Sequence, residues 1–320
     1  MRDTIVVGAS AGGIEAVPGL IAQLPPGVAA AVLVVQHLAE YHEPMLVAIL
    51  RRRTPLPVEW AEQGARIEIG RIYVAPPGLH MLIVDDHLQL LRGPRENHAR
   101  PSIDRLFRSA AALRGDRTIG VLLTGMLDDG VAGLRAIRGA GGYAIAQAPE
   151  DAAFPDLPHN AIAARAVDRV IPLHAMGRAL VALLGEGGEK GEASPALQLE
   201  ASLDRSGPAD PAVLARLGSQ VPIACPECHG PLWEIKDGEL AHYRCFVGHS
   251  LTGPELIRRG DERIESALWA AIRALLDRAS TYEALAGEAL VTAPPYAKRA
   301  NEAREQAEVL RRFAMSITLG

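Results

Sequence analysis

Cysteine is scarce in this sequence: the 320 residues include only three, and all of them lie in one short stretch that begins at Cys225. An odd number of thiols is a poor disulfide framework, and this usage suits a reducing compartment. The sequence also lacks a signal-peptide pattern at its N-terminus and an uninterrupted apolar stretch long enough to cross a bilayer. We therefore expect a cytoplasmic protein that is not inserted into a membrane.

An excess of positive charge is absent as well, because the formal net charge is -5. Such a chain has no overall attraction for nucleic acid or for an anionic membrane, so we expect no nucleic-acid partner. Hydrophobic residues make up 48% of the sequence and charged residues 22%, which is typical of a globular protein. The length allows two domains.

The first half of the sequence alternates between short apolar runs and segments with helical spacing. The apolar runs are residues 4–7, 30–35, 118–123 and 143–147. Buried strands with helices between them indicate a parallel sheet that is covered on both faces. The predicted fold class is therefore α/β, with a doubly wound, mostly parallel, Rossmann-like sheet over residues 1–184.

The composition changes after residue 184. Residues 185–210 are rich in Gly, Glu, Ser and Pro, which predicts a flexible linker. The cysteines follow in residues 211–252, and two helical patterns separated by Pro294-Pro295 predict a helical hairpin over 253–320. The predicted inward positions are Ile264, Leu268, Ala271 and Leu275 in the first helix and Ala303, Ala307, Leu310 and Phe313 in the second.

Three polar residues, Ser10, His37 and Asp129, lie in loops that directly follow predicted strands. The carboxyl ends of the strands in an open α/β sheet form the ligand crevice. A serine nucleophile needs a base within hydrogen-bond reach, and the base needs an acid that holds its tautomer. The glycine-rich turn at Ser10 also offers backbone N–H groups for developing negative charge. Together the loops predict a Ser-His-Asp site.

Each loop taken alone has a simpler interpretation. The turn around Ser10 could bind a phosphate or a dinucleotide, although Ser10 stands where the second glycine of that fingerprint belongs. A single histidine at a strand end is more often structural than catalytic. An aspartate before glycine, such as Asp129, is commonly a turn former.

Four motifs in sequence order resemble the catalytic domain of the CheB-type chemotaxis protein-glutamate methylesterases. They are Gly8-Ala9-Ser10-x-Gly12-Gly13, Gln36-His37, Arg100-Pro101-Ser102-Ile103-Asp104 with Leu106-Phe107, and Thr124-Gly125-Met126-x-x-Asp129-Gly130. The resemblance covers about residues 3–183.

The resemblance implies that Ser10 is the nucleophile, His37 the general base and Asp129 its orienting acid. It places Ala11, Gly12 and Met126 in the loops that bind substrate and form the oxyanion hole. The implied reaction hydrolyses the methyl ester of a glutamate side chain on a chemoreceptor or related methylated signalling protein, with glutamine deamidation as a related activity. No catalytic cofactor is expected, and the rate should fall as the histidine base is protonated.

The sequence departs from the family pattern in several places. The family usually has an N-terminal receiver domain, whereas here the serine loop begins at residue 8, so we expect no control by such a domain in this chain. Ala11 stands where the family commonly has threonine, and Leu127 replaces a common glycine. Ala99 stands where histidine is common. These changes leave the three proposed catalytic residues in place.

The cysteines have the spacing of a metal site. Cys225 and Cys228 form a C-x-x-C motif, and Cys245 is followed four residues later by His249. This pattern predicts a structural Zn²⁺ ion in a zinc-ribbon-like module, with His229 and His242 as alternative fourth ligands. A metal-free loop and a redox C-x-x-C motif are the other interpretations.

Two further functions remain open from the sequence. The first is a regulatory module of weak catalytic activity that binds partners through the zinc and helical regions. The second is a nucleotide-binding α/β domain, which the missing second glycine disfavours.

Overall fold

The computed structural model describes residues 1–38, 45–188, 191–237, 240–287 and 296–317. The chain forms two compact units, Met1–Gly253 and Pro254–Gly320. No helix of the described residues combines the length and the apolar character needed to cross a membrane.

A seven-stranded parallel sheet with flanking helices forms the centre of the first unit. Its strands and helices are β1 (Thr4–Ala9), α1 (Gly13–Ile21), β2 (Ala31–Gln36), α2 (Leu46–Arg51), β3 (Val58–Trp60), β4 (Ile72–Val74), α3 (Ile103–Arg114), β7 (Thr118–Leu122), α4 (Val131–Gly139), β8 (Tyr143–Gln147), α5 (Asp156–Ala163), β9 (Arg169–Ile171) and α6 (Leu173–Leu184). The strand order is β3-β4-β2-β1-β7-β8-β9. The predicted doubly wound, parallel α/β fold is confirmed.

The sheet has an apolar layer on each face. Every residue of β1, β2 and β7 is buried, which explains why these strands are continuous apolar runs and not alternating ones. One layer packs the strands against α1, α2 and α6, and the other packs them against α3 and α4. Strand β1 pairs with β2 on one side and with β7 on the other, so the strand order switches direction there and the carboxyl ends of these three strands form a crevice.

A β-hairpin covers part of the second layer. Its strands are β5 (His80–Val84) and β6 (His87–Leu91), and they pair in antiparallel fashion. His80 in β5 is fully buried and accepts the backbone N–H of Ser102 at Nδ1, while its Nε2 donates to the carbonyl of Pro94. Burial holds the pKa of His80 well below its ordinary value, so the ring is neutral. The hairpin therefore fixes the segment that leads into α3.

The prediction of a flexible linker over 185–210 is wrong for residues 195–206, which form helix α7 (Pro195–Ser206). Ser194 caps this helix, and Glu200 and Asp204 are buried in it. Asp204 pairs with Arg108 of α3 and with Arg244, at 2.7 Å in each case. The low apolar content of the segment was misleading because buried charged pairs attach the helix together with a few apolar side chains, Leu197, Ala201 and Leu203.

The cysteine region is a small antiparallel sheet in the same compact unit. It comprises α8 (Pro211–Leu214), β10 (Gly218–Ala224), β11 (Pro231–Asp237), β12 (Leu240–Cys245) and β13 (Ser250–Thr252). The strands pair in the order β10-β11-β12-β13. The structure therefore groups residues 1–253 together, where the sequence predicted a domain, a linker and a separate module.

The second unit contains two long helices, α9 (Gly253–Gly287) and α10 (Tyr296–Ile317). Ile272, Ala307 and Ala314 are buried between them, with Leu268, Leu275 and Leu310 at the margin. Three predicted inward residues are exposed, Ile264 (50%), Phe313 (55%) and Ala271, so their assignment was wrong. The predicted break at Pro294-Pro295 lies outside the described residues.

Candidate active site

The structure brings Ser10, His37 and Asp129 together at the carboxyl ends of β1, β2 and β7. The Oγ of Ser10 lies 3.1 Å from Nδ1 of His37, and Nε2 of His37 lies 2.9 Å from Oδ2 of Asp129. An ionised aspartate can only accept, so Nε2 carries the proton and Nδ1 presents its lone pair to the serine hydroxyl. This arrangement has the chemistry of a nucleophile, a base and an orienting acid.

Asp129 is buried, and both of its carboxylate oxygens accept hydrogen bonds. Oδ2 also accepts the backbone N–H of Ile103 at 2.7 Å, and Oδ1 accepts the hydroxyl of Ser102 at 2.9 Å and the N–H of Asp104 at 3.2 Å. Burial alone would raise the pKa of Asp129, but the hydrogen bond from His37 and the donors at the start of α3 outweigh it and lower the pKa. Asp129 is therefore a carboxylate at neutral pH, held by a helix N-terminus.

A second buried acid, Asp104, lies beside Asp129. It accepts the N–H of Gly133 at 2.7 Å and the side-chain amide of Asn97 at 3.0 Å. Burial and the neighbouring carboxylates of Asp129 and Glu96 raise the pKa of Asp104 well above its ordinary value. Charge at this site is therefore concentrated on Asp129, the acid that contacts the histidine.

Gln36 and Thr124 hold the serine loop in place. The side-chain amide of Gln36 donates to the carbonyls of Ser10 and His37, at 2.7 and 3.0 Å. The hydroxyl of Thr124 donates to the carbonyl of Ala11 at 3.0 Å, and the N–H of Ser10 donates to the carbonyl of Thr124 at 3.0 Å. Ser10 is thus fixed from both neighbouring strands.

The residues predicted for the oxyanion hole surround Ser10. Gly12 has φ 79°, which glycine adopts without strain, and it precedes the first turn of α1. Met126 is 52% exposed and lines the same cavity as Ser10 and His37. Among the described residues, no hydrogen-bond acceptor faces the backbone N–H of Ala11, Gly12 or Met126. These donors are therefore open to a ligand, while their role in catalysis stays a prediction.

The aspartate loop contains a strained residue. Leu127 has φ 65°, a left-handed conformation that an L side chain rarely adopts and that glycine adopts freely. Its carbonyl accepts the side-chain amide of Asn160 at 2.7 Å, which secures the turn. This conformation gives a physical reason for glycine at the position in the CheB-type pattern.

The cavity over the serine is open and has a cationic rim. Its volume is about 490 Å³, and Ser10, His37, Asn97, Met126 and Leu127 line it together with Arg95 and Arg100. Both arginines donate to backbone carbonyls nearby, Arg95 to His98 and Arg100 to Gly93, so their guanidinium groups are anchored in the 93–100 segment.

Sequence reasoning missed several residues that support the site. Ser102 was part of a recognised motif but received no role, although it is the N-cap of α3 and a donor to Asp129. Asn97 carried no sequence signal, because its contacts are with residues that lie far away in the chain. A role for Gln36 could have been predicted, because it is a polar side chain at the end of a buried strand and directly precedes His37.

The predicted metal ligands form a compact group. The ligand atoms of Cys225, Cys228, Cys245 and His249 all lie within 4.8 Å of one another. The sulfurs of Cys228 and Cys245 are 3.6 Å apart, and Cys245 Sγ lies 3.5 Å from Nδ1 of His249. Tetrahedral Zn²⁺ with Zn–S bonds of about 2.3 Å needs sulfurs roughly 3.8 Å apart, so the donor set fits a metal ion of this kind.

Neither alternative fourth ligand, His229 or His242, belongs to this group of ligand atoms. His242 instead contacts Glu200 of α7 at 2.8 Å. The hydrogen bond from Cys225 holds the pKa of the Cys245 thiol well below its ordinary value, despite burial. A thiolate at this position suits a divalent cation.

Comparison with known proteins gives a consistent result over the first half of the chain. The family model described as CheB methylesterase matches residues 5–180. A Thiobacillus denitrificans protein named protein-glutamate methylesterase/protein-glutamine glutaminase is 37% identical over 190 residues, which are 58% of this chain and 53% of that protein. A Leptospira interrogans protein with the same two activities in its name is 37% identical over 182 residues, 57% of this chain and 94% of its own length.

One solved structure also matches. The Thermotoga maritima CheB methylesterase catalytic domain superimposes with a TM-score of 0.56 and 29% sequence identity, covering 57% of this chain and 99% of that domain. The match supports the fold.

Proposed function

Because the chain belongs to the CheB methylesterase family over residues 5–180, we propose that it is a hydrolase that cleaves glutamate methyl esters on a methylated signalling protein. The observation that carries this proposal is the continuous contact from Ser10 through His37 to the buried carboxylate of Asp129. The chain spans about half the length of several curated relatives, the Thiobacillus denitrificans protein among them, so their substrates and partners remain proposals for it.

The geometry supports a two-step acyl transfer. Ser10 Oγ attacks the ester carbonyl carbon while Nδ1 of His37 takes the hydroxyl proton, and Asp129 stabilises the imidazolium that forms. Backbone N–H groups near Ala11, Gly12 and Met126 donate hydrogen bonds to the negatively charged tetrahedral oxygen. His37 then gives the proton to the departing methoxide, and methanol leaves.

The second step regenerates the serine. Water attacks the glutamyl ester on Ser10, its proton passes to His37, and the product is a glutamate carboxylate. The same sequence of steps with an amide releases ammonia, which would convert glutamine to glutamate. No step requires a metal ion or an organic cofactor.

We also propose that the group of Cys225, Cys228, Cys245 and His249 binds a structural Zn²⁺ ion. Four protein ligands complete a tetrahedral shell and leave no position for a reacting water. The burial of Cys225 and Cys245 supports a role in holding the small sheet together.

The activity is tested by methanol release from a carboxyl-methylated chemoreceptor, with zinc-loaded full-length protein. We expect release that depends on enzyme concentration and that falls on the acid side, as a histidine base becomes protonated. If no methanol appears, generic acyl esters are tested next. Absence of both activities would contradict the hydrolase and would favour a partner-binding module.

A further inference from the structure

The loop that carries the metal ligands is hydrogen-bonded directly to the segment beside the catalytic acid. Gly248 and Ser250 flank the ligand His249 in sequence. The carbonyl of Gly248 accepts Nη2 of Arg105 at 3.0 Å, and the carbonyl of Ser250 accepts the backbone N–H of Asn97 at 2.9 Å. Both sides of this contact lie in the same compact unit.

Asn97 is the point at which the two regions meet. Its side-chain oxygen accepts the backbone N–H of Thr252 in β13 at 3.1 Å. Its side-chain nitrogen donates to Asp104 at 3.0 Å and reaches Asp129 at 3.5 Å. The side-chain amide of Asn97 therefore accepts from the metal-bearing sheet and donates to Asp104 and to Asp129, the acid that contacts His37.

The surroundings make this contact rigid. Asn97, Arg105 and Ser250 are all buried, so water has little access to replace their bonds. Arg105 is also held by Glu96 at 3.0 Å and by the carbonyl of Pro94 at 3.1 Å. Asn97 has φ 46°, a conformation that asparagine tolerates better than most residues.

The metal loop has bonds of its own that depend on its folded shape. The N–H of Cys245 donates to the carbonyl of His249 and that of Gly248 donates to the carbonyl of Cys245, each at 3.0 Å. A metal ion bound by Cys245 and His249 would join the two ends of this turn. Loss of the ion would release the turn and with it the carbonyls of Gly248 and Ser250.

We propose that metal binding at the Cys225, Cys228, Cys245 and His249 group positions the catalytic acid Asp129 through Asn97, which acts as a positioning residue. This inference rests on the proposed function for its catalytic consequence. The contact itself does not depend on the substrate. The small sheet is thus part of the catalytic unit and not an independent binding module.

The test compares the full-length wild type with Asn97→Gly, each zinc-loaded and zinc-stripped by a chelator. Glycine adopts positive φ freely, so this change removes the side chain without straining the backbone. Asp85→Gly is the matched control, because Asp85 also has positive φ (52°) and lies in the exposed β5–β6 turn. Amide hydrogen exchange at Ile103 and Asp104, which donate to Asp129, is measured beside kcat and KM for ester hydrolysis.

In the wild type, zinc removal should speed exchange at Ile103 and Asp104 and lower kcat by roughly 10- to 100-fold, with KM nearly unchanged, because a small misplacement of the acid slows chemistry more than binding. Zinc-loaded Asn97→Gly should show the same low kcat, with little further loss on stripping. Asp85→Gly should respond to zinc as the wild type does.

Several results would overturn the proposal. One is unchanged exchange at Ile103 and Asp104 after zinc has left the wild type. Another is wild-type kcat in zinc-loaded Asn97→Gly. If zinc removal speeds amide exchange in β7 as much as at Ile103 and Asp104, zinc stabilises the whole unit and not this contact in particular. If the loaded wild type hydrolyses no ester, the proposed function fails, and the exchange data alone decide the inference.

Discussion

At the scale of single residues, Asp129 has two roles in one buried position. It orients His37 and it also receives two backbone N–H groups at the start of α3. Its ionised form is favoured, because the hydrogen bond from His37 and these backbone donors together outweigh the effect of burial and lower the pKa of Asp129. The acid that supports the histidine is therefore also the acid that fixes the helix.

We predict that Asp129→Asn lowers kcat on the order of 10⁴-fold with a much smaller change in KM, because an amide holds the histidine in the wrong tautomer. The measurement is steady-state methanol release. Asp261→Asn, at an exposed position of α9, is the matched control and should behave as the wild type. A loss of less than about tenfold would argue that Asp129 is mainly structural.

The residues of the site were predictable to different degrees. Ser10, His37 and Asp129 could be found because each follows a buried apolar run, and the ends of parallel strands meet. Asn97 could not, because its contacts join distant parts of the chain and it belongs to no motif, and the motif that contains Ser102 did not reveal the bond of this residue to Asp129.

At the scale of elements, helices α3 and α4 approach closely at a glycine. A Cβ on Gly133 would lie 2.4 Å from Cβ of Phe107 and 3.1 Å from Oδ1 of Asp104. The N–H of Gly133 also donates to Asp104. The close approach therefore positions the acids of the site as well as packing the two helices.

We predict that Gly133→Ala destabilises the protein by about 1–3 kcal/mol, since the helices would have to separate. Gly139→Ala in the same helix is the matched control, because its Cβ would meet nothing within 4 Å. That change should leave the stability equal or raise it by up to about 1 kcal/mol. Denaturant unfolding measures both, and equal effects of the two substitutions would contradict the packing argument.

The elements that the sequence predicted best are those that apolar burial determines. Strands β1, β2, β7 and β8 begin and end within two residues of the predicted apolar runs, because these strands are almost wholly buried. Helix α7 was missed, because much of its attachment comes from ion pairs of Glu200 and Asp204 with Arg108 of α3 and Arg244 of β12. Hydrophobic periodicity carries no information about such pairs.

At the scale of the whole molecule, buried ion pairs join the central sheet, α7 and the metal-bearing sheet. Arg108 of α3 contacts Glu96, Glu200 and Asp204, and Asp204 also contacts Arg244 of β12. Charges in this position must remain paired, because an unpaired buried charge is strongly destabilising. The network therefore ties the stability of residues 1–253 to pH.

The buried carboxylate of Glu200 makes the free energy of unfolding fall as the pH falls. Burial opposes the charge of Glu200, but the neighbouring His242 and Arg108 lower its pKa from 4.5 to about 2. A lowered carboxylate pKa gives stability that is complete above the unfolded value and is lost as the pH falls toward the folded one. We predict that the free energy of unfolding decreases between pH 4.5 and about 2, and less steeply in Glu200→Gln. Identical slopes in the two proteins would contradict this role for Glu200.

The central claim, that Ser10 is the nucleophile of a methylesterase, is tested most directly by methanol release from carboxyl-methylated receptor by the wild type and by Ser10→Ala. Ser266→Ala, at an exposed position of α9, is the matched control, and all three proteins are compared at equal folding and zinc content. We predict release by the wild type and by Ser266→Ala, and a loss on the order of 10⁶-fold in Ser10→Ala. Release by Ser10→Ala at the wild-type rate would contradict the claim.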